Sequence, residues 1–210
     1  MKIAVLGTGS VGGALGCRWA QAGHEVFFGA LDPNSDEAQA ALERAGASAR
    51  VGACADAIAA AEAVLLAIPW DQTQSVLQAA GSLRGKILMD CINPLTPDLM
   101  GVTLGHTTSA AEQIAEWFPE ARVVKAFNTL SAATMENPRY GAQNAHVFIC
   151  GDDEAAKGTV KELARVLGFD PVECGPLKLA RQLEPLGALY VYLAVFQGWG
   201  GDCAFRMLKR

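Results

Sequence analysis

Apolar residues along the chain come in short, nearly continuous blocks, separated by longer stretches in which they return every three or four positions. A parallel sheet with crossover helices needs this alternation. "KIAVLG" (2–7), "HEVFFG" (24–29), "AVLLAIP" (63–69), "KILMDC" (86–91), "RVVKAF" (122–127) and "HVFICG" (146–151) are rich in β-branched and aromatic residues and predict strands buried on both faces. Residues 11–22, 35–45, 55–61, 71–80 and 109–118 predict helices between them. After "GDDEAA" a helix to Leu167 and a short strand over 170–174 follow. Asn34, with Glu37 three residues on, has the form of a capping box and sets a helix start near Ser35.

With 210 residues, the chain holds one good core or one domain with a small appendage. Hydrophobic residues make up 51% and charged residues 19%, with a net charge of -5, which describes a folded protein without the basic footprint of a nucleic-acid binder. The six cysteines are scattered without a C-x-x-C pair, so reduced thiols and a cytoplasmic location are expected rather than a zinc site or disulfides. Too few apolar residues follow Met1 for a signal-peptide core. Residues 185–201 carry no charge but include Gln197 and four glycines, and predict a buried helix rather than a membrane span.

"GTGSVGGALG" carries the first chemistry. Gly7, Gly9 and Gly12 have G-x-G-x-x-G spacing directly after a strand and at the start of a helix, the context that gives the pattern meaning. Gly7 allows the turn, Gly9 admits a pyrophosphate, and Gly12 lets helix and strand close; Thr8, Ser10 and Val11 complete the binding turn. A ligand-free glycine turn is the competing reading. The fold class is then α/β: a Rossmann-like, doubly wound, mostly parallel sheet over 1–176, with a small C-terminal helical appendage, 177–210, packed on it or on a second subunit.

Ligands of such sheets lie beyond the carboxyl ends of the strands. Ile68, Pro69 and Trp70 fall there and are candidates for ribose and nicotinamide contact, unless Pro69 only ends the strand and Trp70 covers the core edge. Asn93 and Asn128 end two further strands, placed to hydrogen-bond a carboxamide or carbonyl or to cap local turns. His24, His106 and His146 stand in settings where histidine is usually structural. Lys125 either pairs with a carboxylate or phosphate or, the favoured reading, snorkels to the sheet edge. Cys91 reads as a small buried hydrophobe. Asp202, Arg206, Lys209 and Arg210 form a mostly basic tip that suits a helix end. No acid–base machinery is evident.

In order, "GTGSVGGALG", "IPW", "KAFNT", "CGDD", "ECGPLKLARQLEPL" and the closing apolar helix resemble the NADPH-dependent oxidoreductases that reduce the deazaflavin coenzyme F420. The resemblance covers essentially the whole chain. It implies hydride transfer between NADP(H) and F420 by positioning, without a catalytic side chain, and places Ala126, Asn128, Leu130 and Ala132 near the acceptor ring. It also implies a small-molecule acceptor. The uncharged C-terminal run on a small domain predicts a homodimer through that helix, and neither nucleic acid nor membrane is expected as partner.

The chain departs from that family after the second strand, where members carry an arginine for the 2′-phosphate. Here Ala30, Leu31 and Asp32 occupy the position, and residues 28–43 contain no Lys or Arg. NAD(H) is therefore open. Asp32 either takes a 2′-OH or serves only the turn beside Pro33, and Arg44 or Arg50 would have to reach back to a phosphate. A flavin acceptor, or a non-catalytic redox sensor, stays open as well.

Overall fold

The computed structural model describes residues 1–208 and 210; the expected role of Lys209 in the basic tip lies outside them. Ten strands form in chain order: β1 (Lys2–Leu6), β2 (Glu25–Ala30), β3 (Ala49–Ala53), β4 (Ala63–Leu66), β5 (Ile87–Asp90), β6 (Arg122–Lys125), β7 (Arg139–Tyr140), β8 (Gln143–Asn144), β9 (His146–Gly151) and β10 (Asp170–Gly175). Eight of them make one sheet in the order β10-β9-β6-β5-β4-β1-β2-β3, while β7 and β8 pair as a small hairpin. Every pairing in the large sheet is parallel except β6 with β9. The predicted Rossmann-like sheet is therefore present, extended past β6 by an antiparallel turn-back.

The helices are α1 (Ser10–Gln21), α2 (Asp36–Ala45), α3 (Cys54–Ala60), α4 (Trp70–Ala79), α5 (Ala110–Trp117), α6 (Ala132–Glu136), α7 (Glu154–Val166) and α8 (Ala180–Phe196). They cover both faces of the sheet, so β1, β4 and β5 are almost wholly buried and their sequences read as unbroken apolar runs. Two clusters result, one centred on Val5, Leu15, Trp19 and Phe28, the other on Leu6, Leu66, Leu77 and Leu88.

The structure departs from the sequence reading in several places. Residues 49–53 are an edge strand that the half-polar sequence "ARVGA" hides. The strand predicted over 63–69 ends at Leu66, because Pro69 sits at the N-cap of α4. The cap of α2 is Ser35, whose Oγ accepts from the Ala38 N–H at 3.3 Å; Asn34 instead gives its N–H to Asp32 Oδ1 at 2.9 Å. The uncharged stretch 185–201 is buried only in its first half. Beyond Tyr190 the helix emerges, exposing Val195 and Phe196, with Trp199 exposed just after its end. Among the described residues no helix is long and apolar enough to cross a membrane. The tail after α8 folds back over α6, where Ser131 Oγ donates to Gly201 O at 2.5 Å.

Candidate active site

Strand order reverses between β1 and β4, and the glycine turn lies at that reversal. Gly7 has φ +97°, a conformation only glycine adopts without strain, and an added Cβ would stand 2.3 Å from Ala67 O. Gly12 is held by packing, since its Cβ would lie 2.0 Å from Gly7 O. Gly9 differs from both. Its backbone (φ -61°, ψ -172°) suits any residue, and an added Cβ would meet only Glu37 Oε1, at an ordinary 3.4 Å. The protein itself does not require glycine there; close approach of a ligand does. Gly9 is also the N-cap of α1 and offers no side chain to its first N–H groups. The amino ends of α3 and α4, at Cys54 and Pro69, likewise lack side-chain caps, whereas α2, α5, α6 and α7 are capped by Ser35, Ser109, Ser131 and Asp153. The helices bordering the turn thus keep their donors for an anion.

Three pockets join along this edge. A central one of about 300 Å³ is lined by Gly7, Thr8, Gly9, Ala30, Leu31, Asp32, Ile68 and Pro69, together with Ser35, Glu37 and Gln72. Leu31, Cys54 and Val76 continue it into an apolar groove over α3 and α4. On the other side Ile68 and Pro69 lead into a pocket formed with Val11, Trp70, Cys91, Ile92, Asn93 and Leu95. The predicted residues are therefore brought together, apart from Ser10, which is exposed at the start of α1, and Gly12, buried beneath Gly7. Sequence reasoning missed Ser35, Glu37, Gln72 and Leu95. For Glu37 the signal existed: a carboxylate in the first turn of the helix that follows β2.

Trp70 stacks on Trp117 with ring centroids 5.3 Å apart, so one of its faces is already covered. Cys91 Sγ donates to Leu66 O at 2.9 Å, and burial pushes its thiol up to about 12, with Asp90 adding to the effect. It is a protonated thiol at neutral pH. A separate groove at Lys2, Glu25, Phe27 and Arg50 opens at the amino ends of the strands, the wrong end for a ligand of this fold.

Farther along the same edge, polar strand ends are used by the protein itself. Lys125 does not snorkel outward. It is fully buried, with Nζ 2.9 Å from Asp90 Oδ2 and 2.8 Å from Glu184 Oε1, and it also donates to Ile92 O. Burial opposes its charge, but Asp90 and Glu184 outweigh that and hold the ammonium above its usual range. Burial pushes the Glu184 carboxyl up, against the pull of Lys125. Glu184 also accepts from the Ala110 and Ala111 N–H groups at 2.9 and 3.2 Å, capping α5.

Asn93 and Asn128 pair with each other instead of capping local turns. Asn93 Nδ2 donates to Asn128 O at 2.7 Å, and Asn128 Nδ2 donates to Asn93 Oδ1 at 2.9 Å and to Leu183 O at 2.7 Å. Gly187 of α8 lies against this pair, since a Cβ on it would stand 2.4 Å from Asn93 Oδ1. Between Ala126 and Asn128 the backbone of Phe127 is left-handed, at φ 63°, with its ring buried against Trp19 and Phe169. Ala126, Asn128 and Leu130 are buried, and Ala132, half-buried, opens α6. None of the four lines the pockets just described. The histidines lie elsewhere: His24 contacts the N-terminus, His146 accepts from the Met207 N–H, and His106 sits in an exposed loop.

A parallel sheet that reverses beside an open glycine turn holds a dinucleotide across the reversal, which places the protein among the dinucleotide-dependent oxidoreductases. Its family follows from likeness to known proteins. The profile "NADP oxidoreductase coenzyme F420-dependent" matches residues 2–94. F420-dependent NADP reductase from Methanothermobacter marburgensis is 32% identical over 209 residues, covering 93% of each chain. A solved structure from Arthrobacter sp. FB24, provisionally assigned as an F420-dependent NADP reductase, superposes with a TM-score of 0.90 at 36% identity over the full length of both chains. Metalloreductase STEAP3 of Rattus norvegicus is 36% identical over 189 residues, 88% of this chain but only 36% of that longer protein. The chain belongs to the F420-dependent NADP reductase family and is an NAD(P)-dependent oxidoreductase.

Proposed function

We propose that the protein transfers a hydride between a nicotinamide dinucleotide and a flat organic acceptor, with the deazaflavin coenzyme F420 as that acceptor. The observation that carries this reading is the three-part trough, whose apolar groove, glycine turn and second pocket match in order the adenine, pyrophosphate and nicotinamide of a dinucleotide. The bound dinucleotide would supply the hydride. Gly7, Thr8 and Gly9 would hold its phosphates against the open amino ends of α1 and α4. Val11, Ile68, Pro69, Ile92 and Leu95 would press one face of the reactive ring and exclude water, and Asn93 would border it. Positioning of this kind is most of what direct hydride transfer asks of a protein. The acceptor would stack on the exposed face; of the four residues expected beside it, only Ala132 reaches the surface.

The test is a dinucleotide oxidation assay with purified protein and an acceptor panel of F420, FMN, FAD and a ferric chelate. Oxidation with F420 far above the others supports the reading, and none with any acceptor ends it in favour of a binding module. The likeness to STEAP3, a protein named as a metalloreductase, favours a second reading in which a flavin or metal complex is the acceptor; the same panel decides. A homodimer through the exposed end of α8, at Leu189, Val195, Phe196 and Trp199, belongs to this proposal and is checked by light scattering.

A further inference from the structure

The trough accepts a dinucleotide, but its ribose end does not suit the 2′-phosphate that distinguishes NADP from NAD. No Lys or Arg lines the central pocket or the apolar groove among the described residues. The two nearby arginines are committed elsewhere. Arg44 bonds Glu136 at 2.7 Å, and the Arg50 guanidinium lies 4.1 Å from the centre of the Phe27 ring, at the opposite edge of the sheet. The one hydroxyl of the loop that lines the central pocket, Ser35 Oγ, donates to Asp32 O at 2.9 Å and caps α2. The positive amino end of α2 already carries Asp36 and Glu37 in its first turn.

Two carboxylates line the pocket, and they are not equivalent. Asp32 Oδ1 closes the turn by accepting from the Asn34 N–H. The Glu37 carboxylate has no hydrogen bond or ion pair among the described residues, and its Oε1 stands 3.4 Å from where a Gly9 Cβ would be, above the open face of the glycine turn. An unpaired carboxylate here accepts a hydrogen bond from a ribose 2′-OH and repels a phosphate dianion at the same oxygen.

We infer that Glu37 is the residue that sets the cofactor, and that this member of an NADP-reducing family binds NADH in preference to NADPH. The inference rests on the trough being the dinucleotide site. Calorimetric titration of the wild-type protein and of Glu37→Gln with NADH and with NADPH tests it. The wild-type protein is expected to bind NADH about tenfold or more tighter. Glu37→Gln should close most of that gap by tightening NADPH, with NADH changed less than about threefold because the amide oxygen still accepts. Raising the salt concentration should narrow the wild-type gap, which a purely steric effect would not do. NADPH binding tighter than NADH in the wild-type protein, or a ratio that Glu37→Gln leaves unmoved, overturns the inference while leaving the proposed function standing. Binding of neither dinucleotide overturns both.

Discussion

The two halves of the sheet edge are built on opposite terms. At the β1–β4 reversal the protein leaves groups unpaired: Glu37, beside Gly9, has no partner for its carboxylate among the described residues, three helix starts lack side-chain caps, and Leu31 is 82% exposed at the mouth of the pocket. At the β5–β6 end it pairs almost everything, with Lys125 between two carboxylates and Asn93 and Asn128 holding each other and α8, and only Asn128 Oδ1 left without a partner among the buried side-chain polar atoms of the described residues. Both ends carry polar residues at strand termini, where ligands of this fold bind. The first is vacant enough to receive one, and the second, apart from the pocket wall at Ile92, Asn93 and Leu95, is a joint between the sheet and its C-terminal helix.

Substitutions can break that distinction. The largest expected effect is that of Lys125→Met, which leaves Asp90 and Glu184 buried without their cation and should cost about 3–5 kcal/mol in chemical denaturation. Because the folded protein raises the affinity of Lys125 for its proton, the loss should stay constant through neutral pH. It should shrink only as pH rises above the ordinary lysine value of 10.5, where the unfolded chain begins to give up the lysine proton, and vanish once the folded protein loses it at its higher value. A smaller loss, about 1–3 kcal/mol, is expected for Asn128→Ala, which leaves Asn93 Oδ1 without its donor and removes the tie to Leu183 O. Gly9→Ala should have the smallest effect on stability, at most about 1 kcal/mol for a poorer N-cap, yet weaken dinucleotide binding by more than about tenfold. A Gly9→Ala protein that unfolds as readily as Lys125→Met, or that binds the dinucleotide unchanged, would erase the contrast.

Much of the fold could be read from the chain because buried parallel strands write themselves as apolar runs, and β1, β2, β4, β5, β6 and β9 all fall within the predicted blocks or one residue beyond. The edge strand β3 could not be read this way, since half its side chains meet solvent. At the site, Gly7, Gly9 and Gly12 were legible because their demands, for a left-handed turn, for ligand approach and for close packing, fall within six residues of one another after a strand. Asn93, Lys125 and Asn128 were not, because their meaning depends on Glu184 and Leu183, which lie 55 to 91 residues later in the chain. Asp32 and Glu37 were separable only by geometry: both follow β2, and it takes the turn at Asn34 to occupy one and leave the other free.

Glu184 has a bearing on the order in which the molecule is made. It supplies the second carboxylate for Lys125 and the cap for α5, yet it leaves the ribosome after every strand of the sheet. A nascent chain that has completed β10 therefore has its dinucleotide trough assembled in sequence, but the joint beneath β5 and β6 is still open, and the Ala110 and Ala111 N–H groups at the start of α5 still lack their carboxylate. The arrival of α8 closes the structure from behind.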